Sequence, residues 1–90
     1  MAWKVEVGEA ADKELSKLDK QAAVRILKFL KERVAVSENP RMLGESLKGR
    51  FEDYWKYRVG DYRIICNILD DVVTIVVIKI GNRKEVYRAK

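Results

Sequence analysis

The order of periodic segments predicts an α+β domain: an N-terminal strand, a two-helix hairpin, then a three-stranded antiparallel meander whose small sheet is covered on one face by the helices. Three observations predict it. Residues 2–7, "AWKVEV", alternate apolar and polar side chains with period two. From Glu9 to Val34 the apolar residues instead return every three or four positions. From 52 to 80, three runs rich in β-branched and aromatic residues are separated by "GD" at 60–61 and "DD" at 70–71. A chain of 90 residues has room for one modest core, so residues 1–90 are read as a single domain of order β-α-α-β-β-β.

In the first strand Trp3, Val5 and Val7 share one side, with Lys4 and Glu6 on the other. Ala11, Leu15 and Leu18 then line one face of a short helix that stops near Asp19. Asp19 is placed to cap a second helix, along which Ala23, Leu27, Leu30 and Val34 repeat at spacings of 4, 3 and 4. The only proline and a glycine fall in "SENPRMLGES", 37–46, which reads as the loop leaving the helices. Strands follow at 52–59, 62–69 and 72–80. Gly60 suits the first central position of a type II′ turn, where φ is positive, and a two-residue hairpin loop is expected there.

That loop length sets a register. Val59 falls opposite Tyr62, Arg58 opposite Arg63, Tyr57 opposite Ile64, Lys56 opposite Ile65 and Trp55 opposite Cys66. Because paired residues share a face, Trp55, Tyr57, Val59, Tyr62, Ile64 and Cys66 form the surface suited to the helices. Lys56, Arg58 and Arg63 fall on the other. Like charges directly across a strand pair cost up to about 1 kcal/mol, so the Arg58–Arg63 pairing asks for compensation. Long cationic side chains can splay into water and cover sheet with their stems. An anion accounts better for the concentration, since a phosphate accepts bidentate arginine contacts. Crowding also disfavours a protonated amine, which makes Lys56 a candidate base.

Composition narrows the chemistry. With no histidine and one cysteine, Cys66, the usual zinc and iron ligand sets, the Ser-His-Asp and Cys-His nucleophile systems and an intrachain disulfide cannot be assembled. No cofactor is expected. Any catalysis must run on Lys, Arg, Tyr, Asp or Glu. The net charge of +5 is uneven: residues 1–40 hold 8 basic and 7 acidic residues, 41–90 hold 11 and 7. Such a balance favours polyanions, though modest excess lysine is also ordinary solubility charge. No run approaches the roughly 18 apolar residues of a membrane span, and no signal peptide opens the chain, so a cytoplasmic protein with no membrane contact is expected.

In the tail, "IKIGNRKEVYRAK", Gly81 is expected to interrupt the last strand and let Arg83 and Tyr87 bend toward the cationic patch. Tyr87 either stacks on a base, exchanges a proton or packs on the sheet.

Together the segment order, "LKG" at 47–49, "YWKYRVGDYRI" at 54–64 and "IGNRKEVY" at 80–87 resemble the RelE toxins of bacterial and archaeal toxin–antitoxin systems, within the RelE/ParE superfamily. The resemblance spans nearly the whole chain. It implies a metal-independent endoribonuclease that cuts messenger RNA in the ribosomal A site, the 2′-hydroxyl attacking the adjacent phosphate. By position it makes Lys56, Arg58, Arg63, Arg83 and Tyr87 the site residues. Arg58 stands where the best-known member has lysine, and Asn82 stands where relatives that use a Glu and His pair carry the histidine. The resemblance further implies a RelB-like antitoxin, the ribosome with its RNA as partner, and operator DNA bound only through the antitoxin. The alternative within the superfamily is a ParE-like toxin that inhibits DNA gyrase.

Overall fold

The computed structural model of the chain describes residues 3–47 and 54–82, so Arg83 and Tyr87 lie outside the described residues. The N-terminal alternation forms β1, Lys4–Val7, and the change of period after Gly8 begins α1, Glu9–Ser16. Asp19 caps α2, Lys20–Phe29, its carboxylate accepting the Ala22 N–H at 2.7 Å, as the sequence predicts. Beyond Phe29 the helical path widens into a π turn, Leu30–Val34, where the Ala35 N–H reaches the Leu30 carbonyl at 2.8 Å. The Ala35 carbonyl in turn accepts the Trp3 N–H, which ties the helix end to the start of β1.

The stretch 37–46 is more ordered than the expected loop. It holds a 3-10 turn, Pro40–Leu43, and a two-residue strand β2, Glu45–Ser46. β3, Trp55–Val59, β4, Tyr62–Leu69, and β5, Thr74–Asn82, complete a five-stranded sheet of order β1-β5-β4-β3-β2. The sheet is mixed, with β1 parallel to β5 and the other neighbours antiparallel. The expected order and three-stranded meander are corrected accordingly. A two-residue strand carries no periodicity to read, and the β1–β5 pairing joins the two ends of the described chain with no turn to announce it. What admits β2 is Gly44: a Cβ there would stand 2.5 Å from the Lys56 carbonyl oxygen.

Two local expectations also change. The segment between β4 and β5 is a 3-10 turn, Asp70–Val72, followed by Val73 at φ 48, so the last strand begins at Thr74 instead of 72. Gly81 does not end the strand. It sits within β5 opposite Arg63, and the irregularity falls at Ile78, which is skipped where pairing passes from Ile65–Lys79 to Cys66–Val77.

The core lies between the helices and one sheet face. Ala11, Leu15, Ile26, Leu30 and Val34 meet Tyr57, Ile64, Cys66, Ile75, Val77 and Ile80 there, with Trp55, Val59 and Tyr62 packed at its margin. Every side chain assigned to that face by the hairpin register is present in it. Tyr57 is fully buried, with its hydroxyl donating to the Pro40 carbonyl at 2.8 Å and its ring edge-on to Phe29. At the sheet's edge β1 covers β5 only as far as Val77, and beyond it Glu14 of α1 takes over. Its carboxylate accepts the Ile80 N–H at 2.7 Å and pairs with Lys79 at 2.9 Å, which closes an otherwise open edge.

Burial raises the Cys66 thiol from 9.0 to about 12. Burial, with the Cys66 thiolate as a second contribution, pushes the Tyr57 phenol well above 10.0. Both groups are neutral when protonated, so at high pH the unfolded chain releases protons that the fold retains. Their contribution is complete below about pH 9 and is lost as pH rises toward the folded values. The urea midpoint is therefore expected to be lower at pH 10.5 than at pH 8. Tyr57→Phe should flatten part of that decline while costing about 1 kcal/mol at pH 7, because the Pro40 carbonyl loses its donor.

Candidate functional site

Gly60 takes φ +59, and the loop between β3 and β4 has two residues. The register is the expected one in all five pairs: Trp55–Cys66, Lys56–Ile65, Tyr57–Ile64, Arg58–Arg63 and Val59–Tyr62. Lys56, Arg58 and Arg63 consequently share the face turned away from the helices. A small apolar floor lies beside them, where Ile65 and Leu47 are buried against Tyr54. The Leu47 N–H donates to the Tyr54 carbonyl at 3.0 Å, carrying the β2–β3 ladder one pair further.

Two rows of side chains cross this face, and they differ in charge balance. The first runs Glu45, Lys56, Ile65, Lys79 across β2 to β5. Both of its cations have carboxylates: Lys56 Nζ lies 3.3 Å from Glu45 Oε1, and Lys79 pairs with Glu14. The second row runs Arg58, Arg63, Gly81 across β3 to β5. It contains no carboxylate, and among the described residues neither arginine has an ion-pair partner.

Arg63 is the unusual member. It is only 5% exposed, and its Nε has no hydrogen-bond partner among the described residues. A buried charged donor left unpaired is costly, and an anionic ligand is one group that could complete it. Arg58 stands exposed directly opposite. Gly81 on the other flank contributes no side chain to the row. Two guanidiniums side by side, one desolvated, offer fork-shaped donors suited to the oxygens of one phosphate or two successive ones.

The structure thus brings Lys56, Arg58 and Arg63 onto one face, while Arg83 and Tyr87 lie outside the described residues. Sequence reasoning missed Glu45, the counter-charge of Lys56. The expectation that arginine crowding alone prepares Lys56 as a base must now include this carboxylate. Strand alternation from Lys56 could have found it only with β2 already in place.

A family model described as the ParE toxin of the type II toxin–antitoxin system parDE matches residues 5–87. The chain belongs to the RelE/ParE family of toxins. The mRNA interferase toxin RelE of Escherichia coli (strain K12) is 34% identical over 90 residues, covering 97% of this chain and 92% of that relative. The toxin–antitoxin complex RelBE2 of Mycobacterium tuberculosis shares the fold at a TM-score of 0.84 and 22% identity, over 92% of this chain and 93% of the solved one. The intact Escherichia coli RelBE toxin–antitoxin complex matches at a TM-score of 0.72 and 26% identity, over 90% and 96% of the two chains.

The Arg58–Arg63 pairing has a thermodynamic signature in this fold. Replacing Arg58 by Gln relieves like-charge repulsion and is expected to stabilise the free protein by a few tenths to about 1 kcal/mol at low salt. The gain should fade near 1 M salt, where the Debye length is about 3 Å. Urea titrations of both proteins at the two salt concentrations check this.

Proposed function

We propose that this chain is the toxin of a type II pair and cuts messenger RNA in the ribosomal A site. The observation that carries the reading is the Arg58–Arg63 pair, which has no ion-pair partner among the described residues and includes the buried Nε of Arg63 with no acceptor among them. The likeness to an mRNA interferase along nearly the whole chain supports it.

The ribose 2′-oxygen attacks the adjacent phosphorus while the bond from phosphorus to the 5′-oxygen breaks, leaving a cyclic phosphate and a free 5′-hydroxyl. Negative charge builds on the non-bridging oxygens, where Arg63 and Arg58 stabilise it better than in the ground state. Tyr87 accepts the 2′-hydroxyl proton, or Lys56 does once RNA has displaced it from Glu45 and it has shed its own proton; Arg83 assists the departing 5′-oxygen, which takes up a proton from water. These roles for Arg83 and Tyr87 rest on the family resemblance. The ribosome presents the strand, so the protein's own contacts position phosphates more than they read bases.

A RelB-like antitoxin holds the toxin in check, as the solved RelBE complexes of relatives suggest, and operator DNA is reached only through that antitoxin. Among the described residues no helix is long and apolar enough to cross a membrane. Action on ribosomes is what places the protein in the cytoplasm on this reading. The family model's ParE description favours a second reading, inhibition of DNA gyrase without RNA cleavage.

Primer extension on a message in a purified translation system tests the choice. Wild-type protein should give codon-phased cuts that need the ribosome. Arg63→Ala should reduce the cleavage rate at least a hundredfold, since the loss of a buried donor to a transition-state oxyanion costs about 3 kcal/mol or more. Intact message together with loss of gyrase supercoiling activity would establish the ParE-like reading instead.

A further inference from the structure

We propose that the outer face of α2 and its π turn is a second RNA contact, a phosphate-backbone seat on the opposite side of the sheet from the arginine pair; as a contact with ribosome-borne RNA it rests on the nuclease reading. Residues 20–34 carry Lys20, Arg25, Lys28, Lys31 and Arg33 against a single carboxylate, Glu32. All five cations are exposed, while Ile26, Leu30 and Val34 turn the opposite stripe into the core. Among the described residues none of the five forms an ion pair. Elsewhere Lys4, Arg41, Lys56 and Lys79 each meet a carboxylate. The helix is therefore a concentration of unneutralised charge, masked in the half-chain count by acidic residues on other elements.

Its chemistry selects the partner. At 1.5 Å per residue, Lys20 to Lys31 spans about 16 Å, over which a nucleic-acid duplex presents on the order of ten phosphates. A partner protein helix would need a row of apolar anchors, and along this face the one exposed large hydrophobe is Val24. Exposed lysines and arginines with Val24 as the one exposed large hydrophobe among them suit a backbone that is bound for its charge and not for its sequence. Because the helices and the arginine pair occupy opposite faces of the sheet, one toxin can hold structured RNA with α2 and the message with β3 and β4.

The test is fluorescence anisotropy with a labelled RNA duplex of about 16 base pairs, titrated at several salt concentrations. The full-length proteins compared are wild type, a variant carrying Lys20→Gln, Arg25→Gln, Lys28→Gln and Lys31→Gln, and the single variants Lys28→Gln and Lys31→Gln. At 0.1 M salt the fourfold variant should bind at least ten times more weakly. Its dependence of log affinity on log salt should fall by about 3 to 4, with about 0.9 lost in each single variant. The singles decide the matter if the fourfold variant fails to fold by circular dichroism. Unchanged affinity and slope would overturn the proposal. So would poly-glutamate of equal charge that binds as tightly and depends on the same lysines, since that assigns the face to an acidic protein. Cleavage of ribosome-bound message is scored separately: duplex binding through α2 by a protein that cuts nothing contradicts the nuclease reading alone.

Discussion

The two-residue turn at Gly60 and Asp61 governs what the rest of the molecule can do. With Gly60 at φ +59, Arg58 must face Arg63 and Tyr57 must face Ile64. One more residue in that loop would exchange the two faces, putting guanidiniums into the core and Tyr57 into water. The turn therefore decides at once where the core is and where positive charge collects. The fold accepts the repulsion on one face because the other face carries the packing.

Sheet edges and charge balance extend this logic. Glu14 closes the end of β5 beyond β1, and Glu45 reaches the face from β2; in doing so each neutralises a lysine of the same cross-strand row. The row that remains positive is made of arginines and ends in a glycine. Arginine suits such a position because it stays charged when desolvated, whereas a buried lysine readily gives up its proton. On the proposed reading, an anion that completes Arg63 also offsets the repulsion between Arg58 and Arg63.

What is legible in the sequence follows the range of the interactions involved. Asp19 as a helix cap, the Gly60 turn, the hairpin register and the division of its faces depend on neighbours within a few residues, and all are present in the structure. Ile26, a fully buried residue of α2, escapes the periodicity because the apolar stripe also runs through Ala23 and Leu27, which are only partly buried. β2, the parallel β1–β5 pair and the skipped Ile78 depend on partners far along the chain, and no local pattern encodes them. The same holds for the site. The clustering of Lys56, Arg58 and Arg63 is local and readable, whereas the ion pairs with Glu45 and Glu14, which single out the arginine row, cross between distant elements.

The central claim is that Arg63 is kept buried and unpaired for an RNA phosphate. Its most direct test is nitrogen NMR of the Arg63 Nε–H, in the free toxin and in a complex with a message fragment made uncleavable by a 2′-deoxy sugar at the attacking position. Complex formation is verified independently by anisotropy. The account predicts an Arg63 Nε–H signal that lacks a hydrogen-bonded shift in the free protein and moves downfield when RNA binds. The same Nε–H shift in the free toxin and in the verified complex would contradict it.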